Sequence, residues 1–264
     1  MQSQSTDIEG LPRRYRTWLP LSGLTAHQFG HVLALVGHTI MSPACGRPWG
    51  LPLPIRLLLV LIHLRTNLTT RALAALFNTS QSTVDRIIHH LIPVLADALR
   101  PTGVRDDRPW IIDGTPISVH DQSMTAISKN YRRSVNTQII ISADNHRVIA
   151  VGACWPGNRN DIVVARHTVA DLIDGSRTVL GDGGYRGITT ITGPRRGPDG
   201  QIIRDHHWRS HRRIRARVEH VIARIKDWQI LRRCRRRGQA INHSLQIVAG
   251  LWNLKTYRQL RVNS

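Results

Sequence analysis

The chain has 264 residues and a mass of 29.8 kDa, with 37 Lys and Arg against 17 Asp and Glu, a formal charge of +20 and a pI near 11.6. At 41% hydrophobic it can bury a core, which excludes a disordered basic tail. Its longest apolar run, the six residues from Leu57 to Ile62, is far below the ~20 that a membrane span requires.

The opening MQSQSTDIEG lacks a charged-then-apolar leader pattern. Cys45, Cys154 and Cys234 are odd in number and scattered, with no C-x-x-C pair, which speaks against a disulfide framework or a zinc site. These features describe a soluble cytoplasmic protein with a polyanionic partner, nucleic acid above all. Arginine dominates the positive charge, since the lysines are only Lys129, Lys226 and Lys255. Glutamate is rarer still, at Glu9 and Glu219 alone.

Residues 1–50 form an N-terminal segment of unassigned role. Phe29, Val32, Leu33, Leu35, Val36 and Ile40 predict an amphipathic helix over 27–41, and Pro43, Gly46, Pro48 and Gly50 predict a break after it. Ile55 to Leu64, opened by Pro52 and Pro54, reads as a buried helix. Within 51–100 the pattern becomes helix-turn-helix. Thr69 or Thr70 caps a short helix, RALAALF, and Asn78-Thr79-Ser80 makes the turn. A longer helix then starts at Gln81 with Ser80 as its N-cap. Ala74 is small where the helices must touch. Leu73, Phe77, Val84, Ile87 and Ile88 supply the apolar seam. A DNA-binding reading places Gln81, Ser82, Thr83 and Arg86 at the groove end of a recognition helix; an ordinary helical hairpin has the same spacing.

Residues 101–109 read as a linker, after which the pattern turns to strands. Trp110 to Val119 is the first, Val135 to Ala143 the second, and Arg147 to Cys154 the third, the last two joined as an antiparallel hairpin. A helix over 161–173, a short buried strand at TVLG (178–181), a Gly/Pro/Arg loop over 193–200 and a long helix over 210–231 complete the order. Strands first, then alternation with helices, predict an α/β class: a mixed sheet flanked by helices, preceded by an all-α domain.

In so basic a chain, acids at element ends stand out. Asp113 follows the strand WII, and Asp182 follows TVLG at a strand's C-terminal end, where sites of open α/β sheets gather. On the long helix Ile214, Val218, Val221, Ile225 and Trp228 step by 4, 3, 4 and 3, an apolar face. Arg215, Glu219, Ile222 and Lys226 form a second stripe about 100° round, so Glu219 lies at the border of the packed face. Carboxylates brought together repel unless a cation offsets them. Magnesium takes such oxygen ligands and shares a substrate's phosphates, which points to phosphodiester chemistry on DNA. Asp113 and Asp182 as plain turn caps remain the alternative at this stage.

The motifs WIIDGT, VLGDGGYRG and RARVEHVIARIKDWQIL resemble the DDE transposases of bacterial insertion sequences, in the branch related to PIF/Harbinger elements. Arg215, Glu219 and Lys226 meet the family's Arg-x3-Glu-x6-Lys pattern, and Asp182, Gly184 and Tyr185 meet its Asp-x-Gly-Tyr pattern. The Asp182–Glu219 interval has 36 intervening residues, close to the family's spacing. A departure is Arg212, which stands where the family carries a tyrosine.

The resemblance implies an RNase H-like catalytic domain over 110–260 that cuts element ends and joins the freed 3′-hydroxyl to target DNA. It implies two Mg²⁺ or Mn²⁺ ions held by Asp113, Asp182 and Glu219, with Asp113 bridging both and Asp161, in PGNRND, as the alternative acid. Arg215 and Lys226 are expected to grip flanking phosphates. Tyr185 and Arg186 are expected beside the scissile strand. Partners would be double-stranded DNA at the nucleoid and further copies of the chain, in a homodimer or higher synaptic oligomer. The competing readings are a non-catalytic DNA-binding protein derived from a transposase and an RNase H-like nuclease without strand transfer. Of the +20, +12 lies in the 52 residues from Arg186 to Arg237, around Glu219 and the RRCRRR run containing Arg232 and Arg233. DNA binding by such a stretch is expected to weaken steeply with salt.

Overall fold

A computed structural model of the chain describes residues 10–40, 48–102, 108–127, 133–173, 175 and 177–262. Glu9, Cys45 and Lys129, Pro43 and Gly46 of the expected break, and residues 103–107 of the expected linker lie outside them. The chain divides into two compact units: Met1–Arg100 with Trp228–Ile230, and Pro101–Asp227 with Leu231–Ser264.

The first unit is helical. Its elements are α1 (Arg13–Arg16), a 3-10 turn at Leu19–Ser22, α2 (Ala26–Thr39), α3 (Leu53–Thr66), α4 (Thr70–Phe77) and α5 (Gln81–Ala98). A capping box opens α2, with Thr25 and Gln28 each accepting from the other's backbone amide. Every residue from Ile55 to Leu64 of α3 is buried, because α2, α4, α5 and the 3-10 turn surround it. Thr69 caps α4, and Ser80 caps α5 by accepting from the Thr83 amide at 3.1 Å. Between them Asn78 takes the left-handed conformation, φ 49°, that the turn demands. Leu73, Ala74, Phe77, Val84, Ile87 and Ile88 are all buried in the seam. The stretch before α2, too short to show periodicity, adds Tyr15 stacked on Phe77 with Trp18 edge-on to both rings.

The second unit is built on a mixed sheet. Its elements are β1 (Trp110–Val119), β2 (Ala126–Ile127), β3 (Arg133–Ser142), β4 (Val148–Val151), β5 (Trp155–Pro156), α6 (Asp161–Thr168), β6 (Val179–Leu180), β7 (Ile191–Thr192), α7 (His206–Ile225), β8 (Arg233–Cys234) and α8 (Ala240–Val262). The strand order is β2-β3-β1-β6-β7, with β4 and β5 also on β3 and β8 on β1. β1 runs antiparallel to β3 and parallel to β6 and β8. This pairing agrees with the RNase H-like expectation.

Alternation divides the sheet's faces. Trp110, Ile112 and Ile140 pack with Ala165 of α6 and with Val169, Ile173 and Tyr185 beyond it. α7 lies against β1 and β3. α8 lies against β4, where Asn253 both accepts from and donates to the backbone of Val148.

Several expectations are corrected. The third strand stops at Val151, with one more backbone bond to β3 from the Gly152 amide, and a separate strand pairs with β3 at Trp155–Pro156. The helix expected over 161–173 is α6 followed by a separate 3-10 turn at Ala170–Leu172. The long helix starts earlier, where the Asp205 carboxylate accepts from the Trp208 amide, and its last turn tightens as the Asp227 amide bonds Arg224. Trp228, expected on its apolar face, lies past its end in the first unit, with the Arg65 guanidinium 4.7 Å over the ring.

Candidate active site

The parallel register of β1 and β6 positions the first two acids. Ile111 pairs with Leu180, so two residues on, Asp113 and Asp182 come level where β6 ends. Asp182 caps the 3-10 turn Gly183–Tyr185, accepting from the Gly184 amide at 2.7 Å. Asp113 accepts from the Gly114 amide at 3.0 Å and from Arg215 at 3.4 Å. Burial pushes the Asp113 carboxyl up to about 6 against the pull of Arg215, and the negative charges of Asp182 and Asp161 add to the push.

Glu219 comes from α7, which is held down by Val218, Val221, Ile222 and Ile225. Ile222 is therefore part of the packed face rather than of the polar stripe. Glu219 itself is exposed, and one turn earlier Arg215 donates to its carboxylate as well as to Asp113. Arg215 is thus the cation that ties Glu219 to Asp113.

Asp161 opens α6 on the other face of the sheet. One of its oxygens accepts from Asn136 at 2.8 Å and from Gln138 at 3.1 Å. Gln138 is fully buried and accepts from the Tyr185 hydroxyl. Tyr185 was expected beside a DNA strand, but only 2% of it is exposed. Its ring packs in the sheet core, and burial together with the neighbouring carboxylates Asp161, Asp113 and Asp182 pushes its hydroxyl well above the usual range. Asn136 and Gln138 escaped the sequence reading. Their signal was two amide side chains two residues apart, on one face of a strand that continues into the apolar run Ile139 to Ile141.

Among the expected DNA contacts, Arg186 is exposed and lines a pocket of about 360 Å³ with Asp182 and Arg196. Lys226 donates to the Pro116 carbonyl at 3.0 Å, and burial lowers its pKa. Arg232 donates to the Lys226 carbonyl at 2.8 Å, and Arg233 donates to His120 at 2.8 Å. Arg212 is exposed, 5.5 Å from the Trp208 ring. In the first unit Gln81, Ser82 and Arg86 are exposed at the start of α5, with Arg86 donating to Thr83 at 3.3 Å.

Among the described residues no group of three His, Cys, Asp or Glu stands ready to hold a metal ion. The donor chemistry nevertheless fits a hard divalent cation: the groups around Arg215 and the end of β6 are carboxylates, and burial holds the Asp113 carboxyl up to about 6 even with Arg215 beside it.

A mixed sheet with Asp113 inside β1 level with Asp182 beyond the end of β6, and a capped helix-turn-helix before it in the chain, defines a class of DNA-acting enzymes. Residues 49–101 match the helix-turn-helix of DDE superfamily endonucleases, and residues 105–254 match the transposase DDE domain. A Streptomyces albus G protein, described as the candidate transposase for insertion sequence element IS112, is 42% identical over 244 residues, spanning 90% of this chain and 94% of that protein. The chain belongs to the DDE transposase family, whose domains bind DNA and use divalent metal ions.

Proposed function

We propose that this transposase cleaves phosphodiester bonds at the ends of an insertion sequence and joins the freed 3′-hydroxyl to target DNA. The observation that carries the reading is the level placement of Asp113 and Asp182, with Arg215 linking Asp113 to Glu219. Asp113, Asp182 and Glu219 would hold two Mg²⁺ or Mn²⁺ ions, which when bound activate a water or 3′-hydroxyl and stabilise the leaving 3′-oxygen. Arg215 keeps Asp113 and Glu219 together against their repulsion. Arg186, Lys226, Arg232 and Arg233 neutralise phosphates flanking the scissile bond. Gln81, Ser82, Thr83 and Arg86 contact the element end through the major groove.

Joining two ends requires a dimer or larger assembly, working on the bacterial nucleoid. The test is cleavage of DNA carrying the inverted repeats that flank the gene. Wild-type protein should nick it with Mg²⁺ and not with a chelator, and Asp182→Asn should abolish nicking while gel-shift binding persists. Nicking by Asp182→Asn at the wild-type rate would remove Asp182 from the site.

A further inference from the structure

The described contacts contain a chain of polar side chains that the acids alone do not explain. It starts at Asn136, runs through Asp161 and Gln138, and ends on the Tyr185 hydroxyl. Asn136 and Gln138 sit two apart on β3 and so share a face, while Thr137 between them points the other way and donates to the Gly152 carbonyl at 2.7 Å. Asn136 is only 8% exposed and Gln138 is fully buried. A sheet interior does not keep two amides and a carboxylate without a return, because any of them left unpaired is costly.

Gly114 makes the meeting possible. It lies opposite Gln138 in the register, and a Cβ there would fall 1.9 Å from the Asp161 carboxylate oxygen and 3.1 Å from the Gln138 amide nitrogen. The missing side chain is the gap in which Asp161 and Gln138 bond, one residue after Asp113 along β1. At the other end, Tyr185 closes the 3-10 turn that Asp182 caps. The Tyr185–Gln138 bond therefore fastens the loop carrying Asp182 to the strand paired with β1.

We propose that Asn136, Asp161, Gln138 and Tyr185 form a positioning relay that fixes Asp182 relative to Asp113 for divalent-cation binding. The relay rests on the reading of Asp113 and Asp182 as metal ligands. Asp161 acts within it as a hydrogen-bond acceptor for two amides and sets the ligand geometry through Gln138. Groups of this kind, one shell away from the ligands, typically change metal affinity by about 10–100-fold when removed.

The experiment measures Mn²⁺ binding to the full-length protein without DNA, by the electron paramagnetic resonance signal of the free ion. Each variant is assayed well below its own melting temperature. Tyr185→Phe should weaken Mn²⁺ binding about tenfold or more. Asp161→Leu, which removes the oxygen that accepts from both amides and lies further along the relay, should do the same, so the proposal stays testable if the tyrosine variant fails to fold. Thr137→Val, on the opposite face of β3, should lower the melting temperature and leave Mn²⁺ affinity unchanged. Affinity within twofold of wild type in Tyr185→Phe or Asp161→Leu, alongside lost binding in Asp182→Asn, would overturn the relay and leave the ligand assignment standing. Wild-type affinity in Asp182→Asn would instead overturn the ligand assignment, and the relay with it.

Discussion

Asp113 is held at a cost. Its carboxyl stands near 6 in the folded chain against 3.8 unfolded, so between those values the native state binds the extra proton. The stability linked to that proton is fully present below about 3.8 and is lost as pH rises through about 6. At about 1.4 kcal/mol per pKa unit, the ionised carboxylate costs roughly 2–3 kcal/mol at neutral pH. Asp113→Asn removes that charge. In thermal melts with a chelator it should be more stable than wild type at pH 7.5 and show no gain at pH 3.5. Equal stability at pH 7.5 would mean that Arg215 already compensates the carboxylate. A binding site for a cation is expected to carry such a cost before its ion arrives. Tyr185 illustrates the limit of reading at this scale. Asp-x-Gly-Tyr spells a loop, and loops are ordinarily on the surface, yet the tight turn swings this ring into the core.

The elements themselves divide by how local their causes are. The turn of the helix-turn-helix was legible because its determinants are contiguous: a Thr cap, a left-handed Asn, a Ser cap and a single apolar seam. That reasoning gives a direct expectation for Asn78, at φ 49°. Asn78→Ala should cost about 1 kcal/mol, because a Cβ without a local polar partner is strained there, and Asn78→Gly should cost little. Chemical denaturation followed by the helical signal would show the difference, and equal losses would contradict it.

β1 and β3 were legible from their apolar runs, and α7 from its 4-3-4-3 stepping, which also set Glu219 one turn after Arg215. β7 and β8 have two residues each and carry no period of their own. They exist because β6 and β1 offer open edges to pair with. α8 mixes Asn, His, Ser and Lys into its apolar pattern, and some of those polar groups clamp loop and strand backbone, as Asn242 does at Cys154 and Asn253 at Val148. The polar relay behind the acids was invisible for the same reason, since its meaning lies in contacts spanning 23 to 47 residues.

At the scale of the whole molecule, positive charge and acids are interleaved on purpose-built elements. The stretch from Arg186 to Arg237 carries +12, and the single glutamate inside it is Glu219, bonded by Arg215. A repressor would need the basic surface and the helix-turn-helix, but it would not need a desolvated Asp113 level with Asp182 where β6 ends. A simple nuclease would need the acids and would have no use for a free 3′-hydroxyl as nucleophile. The most direct measurement is therefore strand transfer itself. A pre-cut element end bearing a 3′-hydroxyl is incubated with plasmid target, Mg²⁺ and either wild-type protein or Glu219→Gln, with gel-shift binding read in parallel. The wild type should give joined products and Glu219→Gln should give none, with both binding the end alike. Joined products from Glu219→Gln, or none from wild-type protein that binds the end, would contradict the proposed chemistry.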